Sequence, residues 1–372
     1  RDTMTAREYP VFTVTPKAER SLRAGHPWVY GEEVTAVEGA YQNGDIVDVV
    51  SNKGRYLGTG WVNDHSKIRV RIISRNANDT FDEAFFRRRV CYALNYRKTV
   101  MGPVDYRCCR LIFGEADQFP GLTVDRFENI LVTQVLSLGM ERRKDWVYRA
   151  LVELLREDGE QIDAIYERND VAIRTLEGLE QGKGFYQMEG LRTDLSGHVT
   201  ITENGIKYDV DYIEGQKTGF FLDQKYNRQA AAKLARGRRV LDCFTHTGAF
   251  ALNAAAAGAE HVTAVDVSAF ALELAAENGK RNGLTNLDYK CADVFDLLTE
   301  MAKEKKCDYD YIILDPPAFT KSRATAKNAY HGYKEINRKA MRLLPRGGYL
   351  ATCSCSHFMT DEMFRKMLQE AA

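Results

Sequence analysis

Arg239-Val240-Leu241-Asp242-Cys243-Phe244-Thr245-His246-Thr247-Gly248-Ala249-Phe250 decides the fold: a short apolar run closes on a carboxylate, a polar loop follows, and an Ala-rich helical stretch begins after Gly248. The same rhythm recurs downstream. Apolar runs at 239–244, 261–267, 287–293, 309–315 and 348–355 alternate with amphipathic helical stretches. That is a βαβ series, and it predicts a parallel, doubly wound α/β sheet of the Rossmann-like kind. In such sheets ligands bind just outside the carboxyl ends of the strands. The residues at those ends are Asp242, Asp266, Asp293, Asp315 and Cys355. One such aspartate would read as a helix N-cap, whereas a series of them at the same ends reads as a binding site.

The residue types narrow the ligand. Gly248 permits close backbone approach where the loop becomes a helix, but a lone glycine does not make the G-x-G-x-x-G of a dinucleotide site, and no other loop resembles a P-loop. An adenosine without phosphates fits better. Asp266 is placed to accept hydrogen bonds from both ribose hydroxyls and Asp293 to accept one from the adenine amine, which describes S-adenosylmethionine. Asp242, Phe244, Gly248 and Asp315 complete the expected cofactor surround.

Working outward, residues 80–200 read as an α+β layer in the order strand–strand–helix–strand–strand, with a helix at 81–98, strands at 122–126 and 129–135, a helix near 142–156, and strands near 164–167 and 201–210. Residues 9–75 read as short strands at 44–50, 56–62 and 68–73, a small β-barrel whose Arg69 and Arg71 would give a basic outer face. Ahead of them a short helix ends at Gly25 and Pro27, carrying Lys17, Arg20, Arg23 and His26 at helical spacing beside Trp28 and Tyr30. Cations interleaved with aromatics suit RNA phosphates and stacked bases; a solvated charged face with core aromatics is the plainer reading of the same helix.

Composition sets the outer bounds. The 372 residues balance 52 Lys+Arg against 52 Asp+Glu, so no global charge marks a nucleic-acid binder. Basic residues nevertheless outnumber acidic ones over 1–110, and the reverse holds beyond, a division that suits a polyanion-facing N-terminal part. The 28% charged and 44% hydrophobic usage excludes a disordered or fibrous chain. Eight cysteines without a C-x-x-C pair disfavour zinc, iron–sulfur and secreted disulfide frameworks, so no metal is expected. No apolar run is long enough to span a membrane. Arg1-Asp2-Thr3-Met4 lacks the apolar core of a signal peptide and fits an expression remnant over 1–3. The cytoplasm is the expected compartment.

Three segments make the chain recognisable. Asp315-Pro316-Pro317-Ala318-Phe319 resembles motif IV of class I S-adenosylmethionine-dependent methyltransferases. Thr352-Cys353-Ser354-Cys355-Ser356 resembles a Ser-Cys-Ser motif VI, and Gly219-Phe220-Phe221-Leu222-Asp223-Gln224-Lys225-Tyr226-Asn227-Arg228 resembles the segment that precedes the sheet. With Gly25-His26-Pro27-Trp28-Val29-Tyr30, the chain resembles the bacterial 23S rRNA cytosine-C5 methyltransferase family along nearly its whole length. The resemblance implies a PUA-like RNA-binding domain at 8–76, a central α+β domain at 77–212 and a Rossmann-like methyltransferase domain at 213–372. It implies as partner 23S rRNA or a large-subunit assembly particle, and a homodimer.

The resemblance also implies roles. Cys355 would add to C6 of cytosine as a thiolate, making C5 nucleophilic enough to take the methyl group; Cys353, two residues away, would be structural, as would Cys243 and Cys291. Asp315 would hydrogen-bond the base edge, Phe319 would stack on the flipped base or pack as a lid, and Asp223 and Gln224 would contact the methionine part of the cofactor. Two features depart from the family pattern. The sequence ends in the helix expected after the fifth strand, short of the usual sixth and seventh, and the first loop lacks a second glycine. The alternatives are an rRNA guanine N-methyltransferase that uses the Asp-Pro-Pro loop without a thiol, and an rRNA-binding assembly factor without turnover.

Overall fold

The first strands form where apolar residues alternate with polar ones, as a sheet with one buried face requires. In the computed structural model, which describes residues 7–319 and 324–372, β1 (Val11–Val14), β2 (Trp28–Tyr30), β3 (Val34–Glu38), β4 (Ile46–Val50), β5 (Tyr56–Val62) and β6 (Ile68–Ser74) lie in the order β2-β6-β5-β4-β1-β3. Helix α1 (Pro16–Arg23) begins where Thr15 Oγ1 accepts the Ala18 N–H at 3.2 Å and Pro16 occupies the first turn. Its Ala18 and Leu22 join Phe12, Val14, Val47 and Val70 in one core. Lys17, Arg20 and Arg23 are left exposed.

The expected basic outer face of β6 needs correction. Arg71 is 9% exposed and lies between Glu115 at 3.2 Å and Glu177 at 3.5 Å, with its guanidinium over Trp28. It is an interior ion cluster rather than a free cation, because this face of β6 is covered by the segment that follows.

That segment starts with α2 (Glu83–Asp105), which breaks its helical geometry at Gly102-Pro103. Five strands, β7 (Cys108–Phe113), β8 (Leu122–Phe127), β9 (Ile130–Val135), β10 (Ala164–Asn169) and β11 (Gly182–Phe185), lie in the order β11-β10-β9-β8-β7. Helices α3 (Leu138–Glu141) and α4 (Lys144–Glu157) carry the crossover between parallel β9 and β10. The α+β layer therefore has β7 and β11 beyond the strands expected. Ile46, Trp61 and Ile73 share a single core with Phe85, Met140 and Leu151. A Cβ on Gly139 would stand 2.0 Å from the Trp61 ring, so only glycine fits there.

The stretch expected as one strand at 201–210 is instead a hairpin of β12 (His198–Glu203) and β13 (Ile206–Asp211). Asn204 and Gly205 turn it with φ of 53° and 78°, the Asn-Gly chemistry of a two-residue turn. The chain divides into two units here: one runs to Ile201 and includes Val210–Leu222, the other comprises Thr202–Asp209 and Asp223–Ala372.

The second unit holds the parallel sheet. β14 (Arg239–Cys243), β15 (His261–Asp266), β16 (Leu287–Cys291), β17 (Tyr311–Leu314) and β18 (Tyr349–Thr352) lie in the order β16-β15-β14-β17-β18, with β16 and β18 at the edges among the described residues. Helices α5 (Lys225–Ala232), α6 (Ala249–Ala256), α7 (Ala269–Arg281), α8 (Val294–Glu304), α9 (Ala326–Leu343) and α10 (Asp361–Ala371) complete it. One face buries Val240, Ala264 and Ile313 with α6, the other Leu241, Val265 and Ile312 with α8 and α9. Strand order reverses between β14 and β17, which places the loops after Asp242 and Leu314 at the crevice where such sheets bind ligands.

Candidate active site

The loop after β14 is braced from within. Asp242 is 1% exposed, and its Oδ2 accepts the Thr245 hydroxyl at 2.6 Å. Its Oδ1 is buried without a hydrogen-bond partner. Burial pushes its carboxyl up to about 7, helped by the charges of Asp315 and Asp266. Phe244 and His246 both take left-handed backbone, with φ of 61° and 52°, a conformation that costs a non-glycine residue energy and concentrates at functional loops. Gly248, at φ 87°, opens α6, and a Cβ there would meet Ala275 of α7 at 2.9 Å. The glycine is thus required by its backbone angle and by helix packing, apart from any approach of a ligand.

Asp266 closes β15 with both oxygens directed at backbone: Oδ2 accepts the His246 N–H at 3.0 Å and Oδ1 the Ser268 N–H at 2.9 Å. It therefore ties the first loop to the second strand. Beside it Val267 and Phe270 are 66% and 70% exposed, apolar surface suited to an adenine ring. Cys291, opposite Asp266 in the ladder, is exposed rather than a core residue, because it ends an edge strand; its thiol donates to the Val267 carbonyl at 3.4 Å. Asp293 lies beyond the end of β16 as the N-cap of α8, accepting the Asp296 N–H at 3.0 Å. The capping role weighed for a single aspartate holds here.

Asp315 follows β17 and is half-buried. Burial raises its pKa, His246 and Arg228 pull it back, and Asp223 pushes it up again. Electrostatics thus brings Asp223, His246 and Arg228 to the Asp-Pro-Pro loop. Gln224 lines a cavity of about 530 Å³ with Asn227, Tyr311, Thr352 and Cys353. Phe319 packs at 4.5 Å against Tyr333 and 6.0 Å from Phe295. These contacts fit the packed-lid reading of Phe319.

After β18 the two thiols diverge. Cys353 is half-buried, its N–H bonds Leu314 O at 2.8 Å, and burial with the nearby Asp315 pushes its thiol up to about 12. Cys355 is exposed, its Sγ donating to the Pro316 carbonyl at 3.8 Å. Helix α9 holds this loop: Thr352 Oγ1 donates to Asn337 Oδ1 at 2.7 Å, and the buried Tyr333 hydroxyl bonds Ser356. Sequence reasoning missed Tyr333 and Asn337; their signal is only that they recur at helical spacing with Ala329, Ile336 and Ala340 on the buried face of α9.

In the first unit His26 packs 5.9 Å from both Trp28 and Tyr30, while Arg23 pairs with Glu19 at 2.9 Å. Lys17, Arg20 and Arg23 share the exposed face of α1. Among the described residues no group of three or more His, Cys, Asp or Glu could hold a metal ion, and no helix is long and apolar enough to cross a membrane.

Residues 186–372 match the S-adenosylmethionine-dependent methyltransferase family and residues 12–75 a PUA-like domain. Ribosomal RNA large subunit methyltransferase I of Photobacterium profundum is 42% identical, over 95% of this chain and 87% of that protein. The protein of the same name from Aeromonas salmonicida is 41% identical with the same coverage. Among solved structures, a protein from Streptococcus mutans provisionally described as an S-adenosylmethionine-dependent methyltransferase superposes with a TM-score of 0.78 at 23% identity, covering 97% of this chain and 90% of that one. A second, described in the same provisional way as a methyltransferase and solved with S-adenosylhomocysteine, reaches 0.80 at 23% identity with the same coverage.

Proposed function

The chain belongs to the S-adenosylmethionine-dependent methyltransferases, with a PUA-like domain ahead of the methyltransferase domain, and from that premise we propose that it forms 5-methylcytidine in 23S rRNA through a covalent Cys355 adduct. The carrying observation is the exposed Cys355 thiol against the Pro316 carbonyl, beside Asp315.

Asp266, the exposed apolar Val267 and Phe270 next to it, and Asp293 at the neighbouring strand end fit an adenosine. Asp223, Gln224, Phe244 and the orphaned Oδ1 of Asp242 would surround the remainder. S-adenosylmethionine supplies the electrophilic methyl group. Cys355 as thiolate would add to C6 of cytosine, and the enamine-like C5 would then bond to the methyl carbon as the methyl–sulfonium bond breaks and S-adenosylhomocysteine leaves. The C5 proton would pass to a base such as water, its electron pair re-forming C5=C6 as the S–C6 bond breaks and the Cys355 thiolate returns. Asp315, whose pKa burial raises, would hydrogen-bond the base edge and balance charge as C6 is attacked. The base must leave its stack to reach Cys355. With Phe319 engaged by Tyr333, stacking would require the lid to open.

The division of labour proposed is RNA holding by residues 8–76 and 77–212, with Lys17, Arg20, Arg23 and His26 against the backbone, and chemistry by 213–372. The chain would act in the cytoplasm as a homodimer, on free rRNA or on a large-subunit assembly particle. The test is methyl transfer from labelled S-adenosylmethionine to undermethylated 23S rRNA, with nucleoside mass spectrometry, for wild type and Cys355→Ala. Formation of 5-methylcytidine with a loss of about 10³-fold or more in the variant supports the reading. Retained activity, or a methyl on nitrogen, transfers it to the guanine N-methyltransferase alternative, and no turnover to the assembly factor.

A further inference from the structure

Residues 202–209 form the tip of the hairpin yet count with the methyltransferase unit, and their contacts there are unusual in kind. The tip is held by side-chain hydrogen bonds to three helices, each of which starts just after one of the cofactor-facing segments. Asn204 Nδ2 donates to the Lys225 carbonyl of α5 at 3.2 Å and to Asn253 Oδ1 of α6 at 3.1 Å. Asn253 Nδ2 in turn donates to the Tyr208 hydroxyl at 3.0 Å and to the Ala249 carbonyl at 2.8 Å. The Tyr208 hydroxyl donates to that same carbonyl at 3.4 Å. Glu203 receives the Arg228 guanidinium of α5 at 2.6 Å, both side chains being buried. Along β13, Asn278 at the C-terminal end of α7 and Asn282 at its C-cap take the Asp209 and Lys207 N–H groups at 3.0 and 2.8 Å.

Helix α5 follows Asp223-Gln224, α6 follows the Asp242–Gly248 loop, and α7 follows Asp266. One small tip thus fixes the starts of α5 and α6 and the C-terminal end of α7. Buried polar networks of this kind set geometry sharply, because each misplaced member leaves a polar group without a partner. A tip that served only to fill space would use apolar side chains here.

We propose that the hairpin tip, through Asn204, Tyr208 and Asn253, is a positioning element for the cofactor site. These residues touch no reacting atom; they hold the first turns of α5 and α6 in the register that the cofactor loops need. The proposal rests on the methyltransferase reading but is independent of the RNA target and of the role of Cys355.

Asn204 allows a clean test, because its left-handed backbone accepts glycine and aspartate. Asn204→Gly keeps the turn and removes the bridge between α5 and α6. Asn204→Asp keeps the shape but sets a carboxylate against two carbonyl-type oxygens. S-adenosylhomocysteine affinity is measured by calorimetry on the whole chain. The expected Kd rises about tenfold for Asn204→Gly, the equivalent of ~1.4 kcal/mol, and further for Asn204→Asp. Amide exchange at residues 242–253 of the cofactor-free chain should quicken in the same order. Steady-state kinetics should show KM for S-adenosylmethionine rising more than kcat falls. A Kd within twofold of wild type for both variants, or a lowered melting temperature with unchanged exchange at 242–253, overturns the proposal while leaving the methyltransferase reading intact. Wild-type protein that binds no S-adenosylhomocysteine overturns both.

Discussion

The loops after β14 and β18 leave the same end of the same sheet, but they are fixed by opposite means. The first is held mainly from within the sheet: Asp242 grips Thr245, two left-handed residues set its path, and Asp266 at the end of β15 takes the His246 N–H. The second is held from outside, by Asn337 and Tyr333 of α9. Self-bracing suits a surface that must stay in shape whether or not a ligand is present, as preorganised binding does. External bracing leaves Cys355 projecting, while Cys353 two residues earlier is turned inward. Surroundings, rather than sequence spacing, separate the two thiols.

The contrast within the second loop should break first under chemistry. With its thiol pushed up to about 12, Cys353 carries a thiolate fraction of roughly 10⁻⁴ at pH ~8. Iodoacetamide at that pH should modify Cys355 at least ~100-fold faster than Cys353, read by peptide mass mapping over time; equal rates would remove the distinction on which the nucleophile assignment stands. Loosening the external brace should cost less. Tyr333→Phe deletes the bond to Ser356 and keeps the ring against Phe319, so kcat should fall about tenfold with KM for S-adenosylmethionine nearly unchanged. A rise in that KM alone would place α9 on the cofactor side instead.

The smallest effect belongs to the self-braced loop. The Asp242 carboxyl sits at about 7 in the folded chain against about 3.9 unfolded, so the folded state holds a proton that the unfolded state releases. Its favourable contribution is complete below the unfolded value, declines as pH rises between the two, and is level above about 7. Asp242→Asn lacks this titration. The melting temperature of the variant should gain on that of wild type by a few degrees between pH ~4 and ~7 and no further above. Calorimetry at several pH values that shows a constant difference would mean the carboxyl is not held protonated.

Much of this was legible in the sequence because the parallel strands are buried on both faces and read as continuous apolar runs. Asp242, Asp266 and Asp315 were placed by where those runs end. Asp293 was placed too, but its first task is local, capping α8. β11 was hidden because Gly182-Lys183-Gly184-Phe185 carries little strand preference. The hairpin was signalled by Asn204-Gly205, which a single-strand reading of 201–210 passes over. Burial of Arg71 and exposure of Cys291 were out of reach for another reason: both depend on what lies next to a strand, the Glu115–Glu177 pair in one case and a sheet edge in the other.

The Arg71 cluster has a practical consequence for handling the protein. An ion pair closed off from solvent is shielded from dissolved counterions, whereas cations laid on an RNA backbone give up affinity steeply as salt rises. If RNA lies on Lys17, Arg20 and Arg23 as proposed, raising ionic strength should strip it from them well before it loosens Arg71 from its two glutamates. A high-salt wash would then serve as a purification step that removes bound nucleic acid and leaves the Arg71 cluster in place.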